Sequence, residues 1–416
     1  MIASKPFEVS KAQVWQAFKQ VKANRGAAGV DGQTLAQFEA KLSGNLYKLW
    51  NRMTSGSYHP PAVRRVEIPK RDGGKRPLGI PTVADRIAQM VVKNQIEPLL
   101  DPLFHEDSYG YRPNRSAHDA LAKARQRCWQ RAWVLDVDIK GFFDTIEHGL
   151  MMKALKHHVQ SPWMLLYIQR WLTAPVALSD GVQEPRTKGT PQGGVISPLL
   201  ANLYLHYAFD AWMKRNHADI PFERYADDIV CHCATQEQAE RLRHALEQRL
   251  AECHLQLHPV KTKVVYCKQS ERRFDYPRIQ FDFLGYTFRP RQVLKKTGRA
   301  GTSFCPAVSN EAAKQMRGRV RELVHRREYR DVQALAKRLN PIIRGWIAYY
   351  GKFYRSHLTN NVLARIDERL ATWLCQVYKR FKRSRVKAFE WIRRTRKHRC
   401  DLFAHWSILT PRYSKT

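Results

Sequence analysis

Apolar and polar residues follow two different periods along this 416-residue chain. Between residues 62 and 290, short β-prone apolar runs alternate with helical stretches, and the runs predict strands at Val63–Pro69, Trp133–Ile139, Arg224–Cys233 and Val264–Lys268. After residue 290 the apolar positions keep a helical period, which predicts helices at Glu311–Arg327, Val332–Tyr350 and Val362–Phe381. The pattern therefore predicts an α+β core followed by a helical module.

Two local signals refine this division. The first sixty residues have a mostly helical pattern, interrupted by a turn-rich stretch at Asn24–Gly32. Within the helical module, Asn340-Pro341 predicts a kink or a break. We therefore expect three domains, with limits at residues 1–61, 62–290 and 291–416.

Positive charge is concentrated in the helical module. The chain carries 72 Lys+Arg against 37 Asp+Glu, a net charge of +35, and residues 291–416 alone hold 31 basic and 8 acidic residues. A surface of one sign repels itself unless it meets a polyanion, and nucleic acid is the commonest such partner. An anionic membrane is the rival, but no apolar run approaches the roughly 20 residues of a membrane span. We therefore expect nucleic-acid partners and no membrane.

Aromatic residues are interleaved with these basic residues. They allow two interpretations that are compatible: the rings form the core of a small helical bundle, and the cations hold a phosphate backbone. The residues concerned are Trp346, Tyr349, Tyr350, Phe353, Tyr354, Trp373, Tyr378, Phe381 and Trp391.

The cysteines and the first residues indicate a cellular compartment. The eight cysteines are scattered without the paired spacing of a zinc site, and Cys231-His232-Cys233 supplies too few ligands within a predicted strand. The opening residues, MIASKPFEVSKAQVW, lack the apolar stretch of a signal peptide. Reduced thiols in a cytoplasmic protein are the expectation.

Carboxylates interrupt apolar, β-prone sequence at two places. Asp136, Asp138 and Asp144 lie in WVLDVDIKGFFD, and Asp227 and Asp228 follow Tyr-Ala in YADD. An unpaired buried carboxylate costs several kcal/mol, on the order of 2–5, so such runs favour a cation, and hard oxygen ligands suit Mg²⁺. Two ions roughly 4 Å apart activate a 3′-hydroxyl and stabilise a leaving pyrophosphate. An ordinary Asp-Asp hairpin turn is the alternative for the second place.

Together, DIKGFFD and YADD resemble the palm motifs of right-hand reverse transcriptases, in their group II intron-encoded form. The resemblance implies two Mg²⁺ ions, with Mn²⁺ able to substitute. It implies metal ligation by Asp138, the backbone carbonyl of Ile139, and Asp227, with Asp228 assisting catalysis. Spacing alone does not exclude Asp136, because it shares a strand face with Asp138.

Two neighbouring residues have competing explanations. Phe143 occupies the family position that packs against the sugar of the incoming nucleotide and would exclude a 2′-hydroxyl, whereas core packing is the alternative. Asp144, with Glu147 three residues later, resembles a capping box that opens the next helix, so we assign it a structural role.

Further blocks follow in the family's order. Residues 64–81 resemble a fingers hairpin, in which Lys70 and Arg76 grip the triphosphate and Arg64 is a weaker candidate. TPQGGVISP at residues 190–198 places Gln192 against the nascent base pair. Ser197 and Pro198 are a natural N-cap and first helical residue.

The remaining blocks concern the leaving group and the primer. HPVKTK at residues 258–263 implies that Lys261 donates a proton to the leaving pyrophosphate, with Lys263 as the alternative. FLGYTF at residues 283–288 resembles the strand pair that grips the primer terminus.

The flanks complete the resemblance. Asn24–Gly32 resembles the N-terminal extension of these enzymes, and Arg344–Tyr350 resembles their helical thumb or maturase domain. The implied fold class is α+β: a right-hand polymerase (fingers, ferredoxin-like palm) with a C-terminal α-helical thumb/maturase domain. The implied function is RNA-directed DNA polymerisation from dNTPs on a DNA primer and an RNA template, acting with a group II intron RNA in splicing and retrohoming.

Other functions are also compatible with the sequence. No HNH-type Cys/His segment is seen, so we expect an endonuclease-lacking form that is primed by a nascent strand at a replication fork. A free-standing relative recruited to DNA repair or phage defence is one alternative. A protein that is mainly an RNA-binding splicing maturase is another. The sequence names no protein partner and no particular intron.

Overall fold

The computed structural model describes residues 6–69, 74–272, 274–294, 298–325, 329, 331–382 and 384–409. The helices are α1 Lys11–Asn24, α2 Leu35–Ala40, α3 Leu42–Thr54, α4 Val83–Leu100, α5 Ala117–Gln130, α6 Phe142–Thr145, α7 His148–His158, α8 Pro162–Thr173, α9 Ser197–Leu205, α10 Ala211–Asn216, α11 Gln236–Glu252, α12 Asn310–His325, α13 Val332–Tyr350, α14 Arg355–Leu358, α15 Ala364–Val377, α16 Arg385–His398 and α17 Trp406–Leu409. Short 3₁₀ turns occupy Asp101–Leu103 and Lys379–Phe381, and π-helical turns occupy His206–Asp210 and Thr359–Leu363.

The strands form three sheets. They are β1 Val63–Pro69, β2 Lys75–Ile80, β3 Trp133–Asp138, β4 Val176–Ala177, β5 Gln183–Glu184, β6 Phe222–Tyr225, β7 Asp228–Cys233, β8 Lys263–Tyr266, β9 Phe281–Phe283, β10 Tyr286–Leu294 and β11 Ala300–Val308. The sheet orders are β2-β1-β4-β5, β6-β7-β3-β8 and β11-β10-β9.

The chain divides into two compact units. The first contains Met1–Ala120 and Leu135–Val264, and the second contains Leu121–Val134 and Val265–Thr416. The limit that we predicted at residue 290 lies inside β10, where Pro290 pairs with Phe304 of β11. The excess of basic residues begins near residue 290, but the backbone pairing of β10 with β11 continues across it. The predicted domain limits stay predictions.

In the first unit, the chain reverses where the sequence predicts one strand. Strands β6 and β7 are antiparallel, with Tyr225 opposite Asp228, and Ala226 between them has φ of 58°. The prediction of a continuous strand Arg224–Cys233 is therefore wrong. Apolar residues on both sides of the turn continue the same pattern, so periodicity does not register the reversal.

Buried polar pairs fix this hairpin. The Arg224 guanidinium is fully buried and donates to Asp210 Oδ1 at 2.7 Å, Asp210 Oδ2 at 2.6 Å and Asn202 Oδ1 at 2.9 Å. Across the pair of strands, His232 Nε2 lies 2.6 Å from the Glu223 carboxylate. Since breaking a buried charged pair costs about 3–5 kcal/mol, the turn between the strands is held rigidly.

The fingers hairpin has the predicted form. Strands β1 and β2 are antiparallel, with Arg64 opposite Ile80 and Ile68 opposite Arg76. Helix α1 begins with a capping box, in which Ser10 and Gln13 exchange hydrogen bonds. The first sixty residues are mostly helical, as predicted.

In the second unit, helices enclose an apolar core that includes Leu335, Leu339, Ile366, Leu370 and Trp373. Helix α13 passes through Pro341 without a break, so of the kink or break that we predicted there, the break is wrong and the kink stays a prediction. The Asn340 side chain lies at this point, where it donates to Leu402 O at 3.0 Å and accepts from Ala404 N at 2.8 Å. Among the described residues, no helix is both long and apolar enough to cross a bilayer.

A buried carboxylate holds the last described segment in this unit. Asp367 accepts hydrogen bonds from His405 Nε2 at 2.9 Å, Trp406 Nε1 at 2.7 Å and Arg396 at 3.2 Å. The Trp406 ring is fully buried. Residues 402–406 are thus part of the core of the helical unit.

Candidate active site

The turn between β6 and β7 carries Asp227 against a close-packed backbone. Tyr109 N donates to Arg224 O at 2.8 Å, so the segment before Gly110 runs beside β6. A Cβ atom on Gly110 would lie 2.4 Å from the nitrogen of Ala226, which only glycine allows. Asn202 Nδ2 donates to Gly110 O at 2.7 Å. The turn therefore has a fixed position relative to the rest of the first unit.

Asp138 and Asp227 lie on neighbouring parts of the sheet, close enough for their charges to interact. Strand β3 is the neighbour of β7, and Asp138 is its last residue. Burial raises the pKa of Asp227, and the negative charge of Asp138 raises it further, whereas its own backbone N–H and the cation of Arg76 lower it. Two carboxylates with this mutual repulsion form a site at which a cation is stabilising.

Of the two aspartates on β3, the structure connects Asp138 with the turn. The charge of Asp138 acts on Asp227. Asp136 lies two residues earlier on the same face of the strand and is half-buried. Asp228 is the first residue of β7, also half-buried, and pairs with Tyr225.

The HPVKTK turn wraps around Asp138. His258 N donates to Asp138 O at 2.7 Å, and Thr262 Oγ1 lies 3.3 Å from both Asp138 N and Asp138 O. Lys261 Nζ lies 4.0 Å from Asp138 Oδ2, with both side chains about half exposed. Lys261 therefore presents an ammonium group beside the paired carboxylates, whereas Lys263 begins β8.

The carbonyl of Ile139 stays outside the neighbouring hydrogen-bond ladder. Ile139 is bridged to Leu257, but the bonds on either side are Lys140 N to Gln256 O at 2.8 Å and His258 N to Asp138 O at 2.7 Å. In this type of antiparallel pair the flanking residues exchange the hydrogen bonds. The Ile139 carbonyl is thus compatible with the role of metal ligand.

Residues that we predicted to contact the nucleotide converge from three parts of the chain. Arg76 Nε donates to Gln192 Oε1, and Gly79 N donates to Gln192 O at 2.8 Å. Thr190 N donates to Phe143 O at 2.8 Å, which joins α6 to the same loop. The Phe143 ring is 6% exposed and packs edge-on against Phe142. Core packing of Phe143 is therefore real, and its action on a sugar stays a prediction.

Two further predicted residues are less well connected. Arg64 lies on the same face of the hairpin as Arg76 but four positions further along the strand, which is about 13 Å at strand spacing. Its Nε is buried and has no protein hydrogen-bond partner within the described part of the chain. Lys70 lies outside the described residues.

Two predicted helix caps are wrong. Glu147, not Asp144, is the N-cap of α7, and its carboxylate accepts from Gly149 N at 2.9 Å and Leu150 N at 2.5 Å. Asp144 instead lies in the short helix α6. Ser197 is the first residue of α9 and its hydroxyl lies 2.9 Å from Thr190 Oγ1, so it fastens the TPQGG loop instead of capping the helix.

Tyr111 lies near Asp227, and the sequence patterns did not predict it as a residue of the site. This side chain is 53% exposed and the residue has φ of 58°, an uncommon backbone conformation for a residue with a Cβ. Burial raises the pKa of its hydroxyl, as do the charges of Asp227 and Tyr225. The sequence signal is weak: an aromatic-Gly-aromatic-Arg-Pro segment without strand or helix periodicity.

The donor set fits a magnesium site that substrate completes. No group of three or more His, Cys, Asp or Glu side chains among the described residues is arranged to hold a metal ion. Mg²⁺ is usually bound through one or two carboxylates, with waters and substrate phosphates as the other ligands. Asp138 and Asp227, which repel each other in a half-buried position, supply such a pair.

The sequence profile of the family described as "Reverse transcriptase (RNA-dependent DNA polymerase)" matches residues 68–288. The chain belongs to this family. A second profile, the maturase-specific domain of group II introns, matches residues 313–391. The predicted fold class and the predicted RNA-directed DNA polymerase with a maturase domain are thereby confirmed.

Curated relatives of this reverse transcriptase include intron proteins. The chain is 32% identical to protein YkfC of Escherichia coli over 311 residues, which cover 66% of this chain and 77% of that protein. It is 35% identical to the group II intron-encoded protein LtrA of Lactococcus lactis over 193 residues, 46% of this chain and 32% of LtrA. A putative COX1/OXI3 intron 1 protein of Saccharomyces cerevisiae is 30% identical over 198 residues, 48% of this chain and 24% of that protein.

The proximity of the two aspartates can be measured directly. We expect Asp138→Asn to lower the pKa of Asp227, because a negative charge that opposes its ionisation is removed while burial remains. The measurement is a pH titration of the Asp227 carboxyl carbon by NMR in the metal-free protein. Asp136→Asn is the matched control and should move this pKa less. An Asp227 titration unaffected by Asp138→Asn would contradict the geometry.

Proposed function

We propose that this reverse transcriptase adds dNTPs to a DNA primer on an RNA template with two divalent ions, Mg²⁺ or Mn²⁺, held by Asp138 and Asp227. The observation that carries the proposal is the convergence of these two carboxylates, with Arg76 and Lys261 beside them. When bound, the ions activate the primer 3′-hydroxyl and stabilise the leaving pyrophosphate. The Ile139 carbonyl would complete one coordination sphere, and Asp228 would assist catalysis.

The other residues of the site act on the nucleotide itself. Arg76 neutralises triphosphate oxygens with a forked cation, and Lys70 and Arg64 are the further residues that we expect to bind the triphosphate. Gln192, held between Arg76 and Gly79, packs against the nascent base pair. Lys261 donates a proton to the pyrophosphate from its place beside Asp138. Phe143 lies under the sugar and excludes a 2′-hydroxyl.

We also propose that the RNA partner is a group II intron RNA, which the protein helps to splice and to move. The maturase-specific profile and the likeness to an intron-encoded protein support this partner. The aligned regions of LtrA and the yeast protein cover a third or less of those chains, so their whole activities are not carried over. The paired aspartates favour an active polymerase over a protein that only binds RNA.

Loss of Asp227 should stop polymerisation. We expect Asp227→Ala to reduce primer extension about a thousandfold or more, since several kcal/mol of transition-state stabilisation are lost and about 1.4 kcal/mol is tenfold in rate. RNA binding should stay near normal. The assay is extension of a DNA primer on an RNA template with Mg²⁺ and each dNTP. Asp180→Ala, in an exposed turn, is the control. Full activity in Asp227→Ala would refute the assignment.

Loss of the Phe143 ring should relax sugar selection. Phe143→Ala is expected to raise the ratio of rNTP to dNTP incorporation at least about tenfold, a difference of roughly 1.4 kcal/mol. The ratio is measured within one enzyme, so any loss of folded protein cancels. Phe142→Leu, which alters the neighbouring buried ring, should leave the ratio unchanged. An unchanged ratio in Phe143→Ala would leave only the packing role.

Exposed cations of the helical unit should set the salt dependence of RNA affinity. Arg393, Arg394 and Lys397 are exposed on α16. If each contacts a phosphate, replacing all three with Gln lowers the slope of log affinity against log salt by about 2. The measurement is a salt titration of RNA binding by filter retention. The control is a triple variant that removes equal charge from the first unit by replacing Lys153, Lys156 and Arg241 with Gln. An equal change of the salt slope in this control would argue against a specific basic surface on α16.

A further inference from the structure

Helix α4 contains a buried carboxylate with donors on both oxygens. Asp85 is 1% exposed. Its Oδ1 accepts from Tyr58 OH at 2.8 Å and from Trp171 Nε1 at 2.7 Å, and its Oδ2 accepts from Gln89 Nε2 at 2.9 Å. Burial raises the pKa of Asp85 to about 6, against the effect of its hydrogen-bond donors and Arg86. Since Trp171 Nε1 can only donate and reaches Oδ1, while the Gln89 amide donates to Oδ2, both oxygens of Asp85 act as acceptors, as in a carboxylate.

One turn further along α4, Gln89 connects this carboxylate with the loop that carries Gln192. The Gln89 side chain is 2% exposed. Its Oε1 accepts from Val195 N at 2.7 Å and from Ile196 N at 3.3 Å. Buried backbone N–H groups need an acceptor, so the loop depends on this oxygen.

The chemistry of the partners admits a single orientation of the Gln89 amide. Asp85 offers only acceptors, so the NH₂ group must face it. The oxygen then necessarily faces Val195 N and Ile196 N, which are donors. An ionised Asp85 thus decides which end of the amide reaches the loop.

The same loop is fastened on both sides of Gln192. The hydroxyl of Thr190, two residues before Gln192, lies 2.9 Å from Ser197 Oγ. Gln192 itself accepts a hydrogen bond at its backbone oxygen from Gly79 N at 2.8 Å. After it, a Cβ atom on Gly194 would lie 2.5 Å from Ser197 Oγ and 3.3 Å from Gln89 Oε1, so the loop packs tightly on the amide. Displacement of Val195 and Ile196 would therefore move Gln192.

We propose that Asp85 and Gln89 are positioning residues for nucleotide binding: the carboxylate orients the Gln89 amide, and the amide holds the loop so that Gln192 meets the incoming nucleotide. This inference rests on the proposed role of Gln192. Neither residue touches the nucleotide. The arrangement depends on the direction of the hydrogen bonds. A side chain of the same size as Asp85 that donates where Asp85 accepts would turn the Gln89 amide around.

The sharpest test is an isosteric substitution, Asp85→Asn. Trp171 Nε1 only donates, so the Asn oxygen stays with it and the Asn NH₂ group faces Gln89. Gln89 must then turn its oxygen toward residue 85 and its NH₂ group toward the loop, which loses its acceptor. We expect the KM for dNTP to rise about tenfold, with kcat changed less than threefold, in primer extension by the full chain.

The exchanged pair, Asp85→Asn with Gln89→Glu, should restore function. The Asn NH₂ group donates to one Glu oxygen, and the other Glu oxygen accepts from Val195 N and Ile196 N. The same hydrogen bonds and the same net charge are present, so we expect the KM to return to within about twofold of the wild-type value. A role in stability alone predicts no selective recovery of KM. Failure of the exchanged pair to lower the KM below that of folded Asp85→Asn would overturn the inference.

Amide hydrogen exchange tests the positioning role of Asp85 and Gln89 independently of the proposed role of Gln192. The amides of Val195 and Ile196 should exchange faster in Asp85→Asn and be protected again in the exchanged pair. Unchanged exchange in Asp85→Asn would refute the device, whereas an unchanged KM in Gln192→Ala would refute only the proposed role of Gln192. If Asp85→Asn fails to fold, Gln89→Met is the deciding variant, because it keeps Asp85 and removes the acceptor for Val195 N and Ile196 N. A wild-type KM in Gln89→Met would also refute the positioning role.

Discussion

The active site depends on a fold that keeps two carboxylates close enough for their charges to interact. Asp138 ends β3, and Asp227 lies in the turn before the adjacent strand β7, where burial and the charge of Asp138 both oppose its ionisation. The fold holds them together with the buried bonds of Arg224 and the close approach of Gly110. Because burial already opposes the ionisation of Asp227, a divalent cation bound to the pair would favour the ionised form.

Local chemistry made part of this predictable. Strand β1 has the predicted limits, Val63–Pro69, because a hairpin with turn glycines and β-branched residues carries its signal in adjacent positions. The paired aspartates were likewise visible as charges that interrupt apolar runs. The reversal at Ala226 was visible only as the alternative of an Asp-Asp hairpin turn, because both arms of the hairpin are apolar and their sum resembles one strand. The cap at Glu147 was missed because Asp144 and Glu147 satisfy the same local pattern.

What the sequence does not contain is the set of partners that distant segments supply. Nothing near Asp85 in the chain announces Tyr58 or Trp171, which lie 27 and 86 residues away. By pattern alone, Asp85 and Gln89 are polar residues one turn apart on an amphipathic helix. The direction of a buried amide follows only from the donors and acceptors that surround it, and these exist only after folding.

In the helical unit, the fold separates two roles that the sequence interleaves. Trp373, Phe381 and Phe353 are buried, and Trp346, Tyr378 and Trp391 pack against the core. Cations that follow Trp391, such as Arg393 and Lys397, are exposed. Bases therefore cannot stack on Trp373, Phe381 or Phe353, whereas the exposed cations attract phosphate. Charge alone does not distinguish one RNA sequence from another, so discrimination by these cations must come from the spacing of phosphates in a folded RNA.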